Sequence, residues 1–236
     1  MSREKILLIM HQERSDPGRV GEMLRTLGYE LDMRIPAIGH DLPDDPTEHH
    51  GAVIFGGPMS ANDDHEEFIR DETKYVEKLL KSEVPFLGIC LGAQILARVL
   101  GSEVRRHPEG LMEIGYYTIE PTEAGSPYFD KHLHAYQWHK EGFDLPKDCD
   151  LLASGNYFPN QAFRFGRQAY GIQFHPEVTE AMNRKWLRKA AHMLSEPGAQ
   201  SAKEQLADRQ RHDAEMNNWA WRFLDHWTKL GQKVTA

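Results

Sequence analysis

The chain has 236 residues, 40% of them hydrophobic, which is enough for one sizeable α/β core or for one domain with an appendage. Acidic residues outnumber basic ones by 36 to 28 and no run of Lys and Arg stands out, which argues against nucleic acid as a partner. Two cysteines are too few for a disulfide framework, and the first apolar run, residues 6–10, is too short for a signal peptide or a membrane span. We therefore expect a cytoplasmic protein without membrane association.

The first half of the chain alternates short apolar runs with amphipathic stretches. This pattern predicts strands at residues 6–10, 31–35, 52–55 and 84–89, and helices at residues 19–27, 66–81 and 91–100. Gly28 and Gly101, which follow two of these helices, are typical helix terminators. The alternation predicts an α/β fold in three layers, with an open, mainly parallel sheet covered by helices on both faces.

After residue 102 the pattern changes to short β runs separated by turns. We predict a small antiparallel extension of the same sheet, with strands at residues 115–120, 132–138, 151–154, 162–165 and 169–174. Helices follow at residues 179–194 and 199–230, on either side of the helix-breaking Glu196-Pro197-Gly198. The chain is thus expected to comprise a domain over residues 1–194 and a C-terminal helical extension over residues 195–236 packed on it.

The last predicted helix carries aromatic residues on one side. Trp219, Phe223 and Trp227 recur at helical spacing. We expect this side to pack on the chain's own domain. The alternative is a subunit interface in a homodimer, since aromatic residues are enriched at interfaces.

The most informative segment is residues 86–94, in which a buried strand leads into Cys90 and a helix leaves it. Gly88 and Gly92 flank the cysteine at the spacing of a nucleophile elbow. Such a turn holds the sulfur at the carboxyl end of the sheet, where the N-terminus of the following helix favours the thiolate. The alternative is a buried cysteine that serves as a small apolar residue, and Cys149 has no comparable context.

A second segment, His175-Pro176-Glu177, follows the last predicted strand. Pro176 holds His175 extended, and residues two apart in an extended chain point to the same side. His175 and Glu177 can therefore face one site, where a histidine would take the thiol proton and a carboxylate would hold its tautomer. The alternative is a turn histidine followed by a helix-capping glutamate.

A third segment, Gly56-Gly57-Pro58, ends another predicted strand and so also lies at the carboxyl edge of the sheet. Acyl transfer needs hydrogen-bond donors aimed at a developing oxyanion. The N–H groups of Gly57 and Leu91 are candidate donors, whereas Pro58 has no N–H and can only shape the loop. The alternative is an ordinary strand-to-loop turn.

Together and in this order, the three segments resemble the class I glutamine amidotransferase family, whose members carry a Gly-Gly-Pro loop, a Gly-x-Cys-x-Gly-x-Gln elbow and a His-Pro-Glu. The resemblance covers roughly residues 3–190 and implies a flavodoxin-like sheet. It also implies hydrolysis of the side-chain amide of glutamine to glutamate and ammonia through a γ-glutamyl thioester. In that reaction Cys90 is the nucleophile, His175 the base and Glu177 its orienter, and no cofactor is needed.

The same resemblance implies the residues that contact the amino-acid end of the substrate. Gln94 lies one helical turn after Cys90, so its amide reaches the same cavity. Further contacts are expected from Pro58, Lys140 and Glu141. The preceding His139 has either a substrate-positioning or a purely structural role.

Residues 153–175 resemble the glutaminase domain of GMP synthase, yet no synthetase domain follows them in the sequence. The acceptor of ammonia would then belong to a separate partner subunit. Two alternatives remain: a peptidase that cleaves γ-glutamyl peptides, and a non-catalytic regulatory module of the same fold. A metal site is not expected, because His132, His134 and His139 share one β run without a carboxylate or cysteine pattern beside them.

Overall fold

The computed structural model describes residues 3–231, and within that range it contains eleven strands and five α-helices. The strands are β1 Lys5–Ile9, β2 Glu30–Arg34, β3 Gly51–Ile54, β4 Phe86–Ile89, β5 Val104–Arg106, β6 Glu113–Pro121, β7 Leu133–His139, β8 Glu141–Phe143, β9 Cys149–Gly155, β10 Ala162–Phe165 and β11 Ala169–Ile172. The helices are α1 Gly18–Thr26, α2 Glu67–Ser82, α3 Leu91–Val99, α4 Glu180–Lys189 and α5 Ala202–Lys229.

Nine strands form one sheet in the order β2-β1-β3-β4-β11-β10-β9-β6-β7. The first five are parallel, and their order along the chain is 2-1-3-4-5, the flavodoxin-like arrangement. The last four continue the sheet with antiparallel pairing. The predicted fold class is confirmed, and the carboxyl ends of β3, β4 and β11 lie side by side at one edge.

Helices cover the sheet on both faces. Alternate residues of β1 point to opposite sides: Ile6 and Leu8 join one core with residues of α1 and α5, while Leu7 and Ile9 join a second core with residues of α2 and α3. This alternation makes the parallel strands apolar on both faces, as expected of a doubly covered sheet.

The last helix, α5, forms part of the larger core. Ser201 and Glu204 form a capping box at its start. Trp219, Phe223 and Trp227 are all at most 5% exposed and belong to the same cluster as Ile6 and Leu8. These aromatic side chains therefore pack on the chain's own sheet and are not available to a second subunit.

The two ends of α5 contact opposite halves of the sheet. In its first half, His212 stacks on His134 of the edge strand β7, with ring centroids 4.0 Å apart. Near its end, Trp227 lies against β3, so close that a Cβ atom placed on Gly51 would be 2.7 Å from its ring. A helix of 28 residues is about 42 Å long, enough to cross most of a nine-stranded sheet.

Several predicted boundaries are wrong. The helix predicted at 179–194 ends at Lys189, after which Ala191–Ser195 forms a 3₁₀ turn. The last strand ends at Ile172 rather than at residue 174, which leaves His175 beyond the sheet. The pair β5 and β8 was not predicted; each has three residues, too few to show a period.

Residues 1–2 of the predicted domain and residues 232–236 of the predicted C-terminal extension lie outside the described residues. No helix within residues 3–231 has an apolar stretch long enough to cross a bilayer.

Candidate active site

Cys90 lies on a sharp turn between β4 and α3. Its φ of 50° and ψ of −102° are unusual for a residue with a side chain. The turn is tight because the flanking glycines touch: a Cβ atom on Gly88 would lie 2.4 Å from the carbonyl carbon of Gly92. The N–H of Cys90 donates to the carbonyl of Ile172 at the end of β11, at 2.8 Å, which ties the turn to the neighbouring strand.

His175 and Glu177 form a buried pair beside this turn. Because β11 pairs in parallel with β4, the chain that leaves β11 emerges next to Cys90. Nδ1 of His175 donates to Oε1 of Glu177 at 2.7 Å, and each side chain is 4% exposed. This hydrogen bond fixes the orientation of the ring. The other ring nitrogen, Nε2, is buried and has no nitrogen or oxygen partner among residues 3–231.

The charges around His175 favour its protonated form. Burial by itself lowers the pKa of the imidazolium, but Glu177 and Cys90 raise the pKa by more, to about 10. Cys90 contributes both by its charge and by hydrogen bonding. The structure thus couples the cysteine and the histidine as one electrostatic unit.

The Gly-Gly-Pro loop closes over both side chains. A Cβ atom on Gly56 would lie 2.7 Å from Cε1 of His175 and 3.4 Å from Cβ of Cys90. A Cβ atom on Gly57 would lie 3.0 Å from the side chain of Leu91. The N–H groups of Gly57 and Leu91 donate to no protein group within residues 3–231, so both are free to bind a ligand. Pro58 is the exposed tip of this loop.

Gln94 is joined to the segment at Glu141. Its Nε2 donates to the backbone carbonyl of Glu141 at 2.8 Å and to Oε1 of Gln173 at 3.2 Å. The side chain of Glu141 accepts a hydrogen bond from Ser60 at 2.7 Å, just beyond the Gly-Gly-Pro loop. These contacts bring three of the predicted regions together, with the amide nitrogen of Gln94 occupied by the protein itself.

His139 is part of a buried polar network. Nε2 lies 3.0 Å from Oε2 of Glu113, and Nδ1 lies 2.9 Å from the carbonyl oxygen of Glu141. Gln161 donates to the same Glu113 oxygen at 2.8 Å. His139 therefore supports the Glu141 segment from behind, while Lys140 between them is half-buried.

The other predicted histidines lie elsewhere. His134 meets His212 and Glu215 of α5, and one ligating atom from each lies within 4.8 Å of the others, a set that could hold a metal ion. His132 packs edge-on against His134. His139 therefore lies apart from His132 and His134, and His134 joins residues 78 or more positions later in the chain.

Several residues that support the site were not predicted. The N–H of Arg19 donates to the carbonyl of Glu177 at 3.0 Å, and its guanidinium donates to that of Val178 at 2.9 Å. Arg209 of α5 donates to the same Val178 carbonyl, and Trp186 of α4 lies edge-on against His175 at 5.2 Å. The partners are too far apart in sequence for any local pattern to reveal them.

Comparison with known proteins agrees with this geometry. Residues 18–193 match the family described as glutamine amidotransferase class-I. The chain is 28% identical to the glutamine amidotransferase-like protein YfeJ of Salmonella typhimurium, over 95% of this chain and 97% of that one. It is 33% identical to one subunit of the glutamine-hydrolysing GMP synthase of Saccharolobus solfataricus, over 66% of this chain and 82% of that one. It spans only about a quarter of longer GMP synthases, such as that of Wigglesworthia glossinidia brevipalpis (31% identity, 56% of this chain and 26% of that one).

Solved structures show the same relationship. A glutamine amidotransferase from Methylobacillus flagellatus superposes with a TM-score of 0.92 at 26% identity, over 100% of this chain and 98% of that one. One from Thermotoga maritima gives a TM-score of 0.87 at 28% identity, over 97% of this chain and 100% of that one. Since the family match alone covers most of the chain, the protein belongs to the class I glutamine amidotransferase family.

Proposed function

We propose that this protein hydrolyses the side-chain amide of glutamine to glutamate and ammonia. The observation that carries the proposal is the position of Cys90, on a strained turn one strand away from the buried His175–Glu177 pair. A nucleophile, a base and an orienter in hydrogen-bonded sequence are the parts that acyl transfer requires.

The reaction proceeds in two halves. His175 holds the proton of the Cys90 thiol on Nε2, and the thiolate Sγ attacks the δ-carbonyl carbon of glutamine. His175 returns that proton to the amide nitrogen, the C–N bond breaks and ammonia leaves, with a γ-glutamyl thioester remaining on Cys90. Water, deprotonated by His175, then attacks the thioester carbonyl, and glutamate leaves as the thiol is reprotonated. Glu177 stabilises the imidazolium in both halves.

The loop and the helix N-terminus supply the rest of the site. The free N–H groups of Gly57 and Leu91 are assigned to the oxyanion that forms at the δ-carbonyl oxygen. Gln94, Pro58, Lys140 and Glu141 are assigned to the amino-acid end of the substrate. Because the amide nitrogen of Gln94 is bonded to Glu141, its contribution to binding comes through its carbonyl oxygen or through the shape that it gives to the segment.

We also propose that ammonia is passed to a separate synthetase subunit. The similarity to the Saccharolobus protein supports this arrangement, since that relative is named as one subunit of GMP synthase. The two free cysteines, Cys90 and Cys149, are compatible with action in the cytoplasm.

The test is ammonia release from glutamine by the purified protein. Cys90→Ala should abolish release, while Cys149→Ser, at a half-buried position in β9, is the matched control and should keep it. A glutamine analogue with an electrophile at the δ-position should label Cys90 alone, as read by mass spectrometry. Undiminished ammonia release by Cys90→Ala would disprove the mechanism.

The same assay separates glutamine from larger substrates. We expect a higher kcat/KM for glutamine than for γ-glutamyl peptides. A preference for the peptides of more than about 100-fold, equal to about 2.7 kcal/mol of transition-state discrimination, would assign the site to peptidase chemistry instead. Labelling of Cys90 without turnover of either substrate would indicate that the partner subunit activates the site.

A further inference from the structure

A second buried acid–histidine pair lies behind the Gly-Gly-Pro loop. His11 follows β1 and Glu72 lies on α2, and both side chains are completely buried. Nε2 of His11 is 2.9 Å from Oε2 of Glu72, and Nδ1 is 3.1 Å from the carbonyl oxygen of Gly56. Neither residue belongs to the three motifs that define the candidate active site.

The direction of the hydrogen bond to Gly56 follows from the chemistry of its partners. A backbone carbonyl can only accept, so Nδ1 of His11 must carry a proton and donate it. Burial lowers the pKa of His11, but the charge and hydrogen bond of Glu72 and the hydrogen bond to Gly56 together raise the pKa by more, which favours a ring that donates to its partners. Oε1 of Glu72 has no partner within residues 3–231, so the hydrogen bonding of this carboxylate is directed entirely at His11.

This hydrogen bond sets the orientation of one peptide plane. The carbonyl of Gly56 and the N–H of Gly57 belong to the same trans peptide, so they point in opposite directions. With the carbonyl held by His11, the N–H is held on the far side, away from His11. Besides His11, the atoms nearest to a Cβ placed on Gly56 or Gly57 belong to Cys90, His175 and Leu91, all in the candidate active site.

The loop needs such a constraint because glycine flanks this peptide on both sides. Two adjacent glycines lack the Cβ atoms that restrict rotation, so the plane can turn over at little cost. An overturned plane would direct a carbonyl oxygen at the developing oxyanion and repel it. Burying an acid–histidine pair is costly unless both side chains are hydrogen-bonded. Here the hydrogen bond that the pair makes to the rest of the chain goes to the carbonyl of Gly56.

We propose that His11, held by Glu72, is a positioning residue that orients the Gly57 N–H as an oxyanion donor. The proposal rests on the amide hydrolysis proposed above. Removing one oxyanion donor costs about 10²–10³ in kcat in enzymes of this kind of chemistry. Loss of the His11 hydrogen bond should therefore lower kcat by up to that factor and leave KM nearly unchanged, since the ground-state carbonyl binds less strongly to the donor.

Two substitutions at residue 11 each keep one of the two hydrogen bonds of the His11 ring and remove the other. The side-chain nitrogen of asparagine falls near the position of Nδ1, and that of glutamine falls near Nε2. His11→Asn thus keeps a donor for Gly56, while His11→Gln keeps one for Glu72. Both are made with Glu72→Gln so that no buried carboxylate is left unpaired, and Glu72→Gln alone is the reference.

The expected result is a split between the two variants. Relative to Glu72→Gln alone, the protein with His11→Asn should stay within about 10-fold in kcat, and the protein with His11→Gln should lose about 10²–10³-fold. Affinity for a γ-glutamyl aldehyde, which forms a tetrahedral adduct with Cys90, should fall in parallel. Alkylation of Cys90 by iodoacetamide forms no oxyanion, and its rate should be equal in all three proteins.

Each outcome bears on the proposal. Equal kcat and equal aldehyde affinity in the two residue-11 variants would overturn it. A parallel loss of alkylation and hydrolysis would also overturn it, because His11 would then act on the nucleophile or on folding. If the wild-type protein releases no ammonia and its Cys90 is not labelled by the glutamine analogue, the proposed function fails, yet the aldehyde affinities still decide whether His11 orients the donor.

Discussion

At the scale of single residues, Cys90 combines two demands that conflict. Its side chain must be present for chemistry, while its backbone lies where a Cβ atom is unfavourable. Residues in such sparsely populated conformations cost on the order of 1–3 kcal/mol each, and they concentrate at functional sites. The surrounding contacts, including the hydrogen bond to Ile172, hold the turn in place despite this cost.

The strain at Cys90 predicts an inverted order of stability for two substitutions. A protein with glycine within a helix or strand is ordinarily less stable than the same protein with alanine there, by about 0.5–1 kcal/mol. At φ 50° and ψ −102° glycine is unstrained, so Cys90→Gly should have the higher free energy of unfolding, by about 1 kcal/mol. Urea denaturation of the two inactive proteins provides the measurement. A more stable Cys90→Ala would show that the turn stores no strain.

The His175–Glu177 pair predicts a graded loss of activity. His175→Ala should lower kcat/KM about as much as Cys90→Ala, since the two act as a unit. Glu177→Ala should cost one to two orders of magnitude less, because an orienter is more dispensable than a base. Steady-state hydrolysis of glutamine gives the series. If Glu177→Ala were as inactive as His175→Ala, the carboxylate would have a role beyond orientation.

The sequence predicted the motif residues better than the residues behind them. Cys90, Gly57 and His175 could be placed at one edge because each follows a parallel strand, and parallel strands end together. His11 and Glu72 gave no signal, since their partners lie 45 and 61 positions away and a buried polar residue looks like any other polar residue in sequence. Gln94 was assigned to substrate without its bond to Glu141, which depends on the bend after β7.

At the scale of elements, the junction of α5 with β7 contains three imidazoles. His134 stacks on His212, and His132 packs edge-on against His134. Burial and these two histidines lower the pKa of His134, while Glu215 and Asp208 oppose the change less strongly. Lys131, paired with Glu215, adds a further positive charge to the group.

This junction predicts a loss of stability on mild acidification. Because the folded-state pKa of His134 is below its ordinary value near 6.5, the unfolded chain takes up the proton first as the pH falls. The contribution of the neutral His134 ring to the free energy of unfolding is complete above pH 6.5 and is lost as the pH drops below that value. His134→Gln should therefore show a smaller decrease in Tm between pH 7.5 and pH 5.5 than the wild type. His65→Gln, at an exposed site, is the control and should behave like wild type.

The elements that sequence patterns missed are the shortest ones. β5 and β8 have three residues each and pair only with one another, so their stability comes from packing on α3 rather than from a periodic run. The end of α4 was overestimated because residues 190–195 keep a helical composition while the chain tightens into a 3₁₀ turn. In both places tertiary packing decides the outcome, and local propensity does not record it.

At the scale of the whole molecule, α5 behaves as a structural layer of the fold. It contributes to the core that contains β1, and through Arg209 it supports the segment that follows Glu177. The matches to YfeJ and to the Methylobacillus structure extend over 95% and 100% of this chain. The last helix is thus a shared part of this architecture.

Trp227 provides a test of this arrangement. It is fully buried against Gly51, so Trp227→Ala should lower the free energy of unfolding by about 3–5 kcal/mol. Trp221, on the same helix and half-buried, is the control and should lose much less when changed to alanine. Chemical denaturation of both variants measures the difference. Equal small losses would mean that the end of α5 is loosely attached.

The position of α5 across the sheet also has a consequence for synthesis on the ribosome. β1 is the first of the described elements to be made and α5 is the last, yet the two share one core. At about 5–20 residues per second, the sheet face that α5 covers stays open for several seconds after its last strand has been translated. During that time the nascent chain presents apolar surface to chaperones. A premature stop within the last helix would therefore yield a chain that is cleared by proteases, even though every residue assigned to chemistry had already been translated.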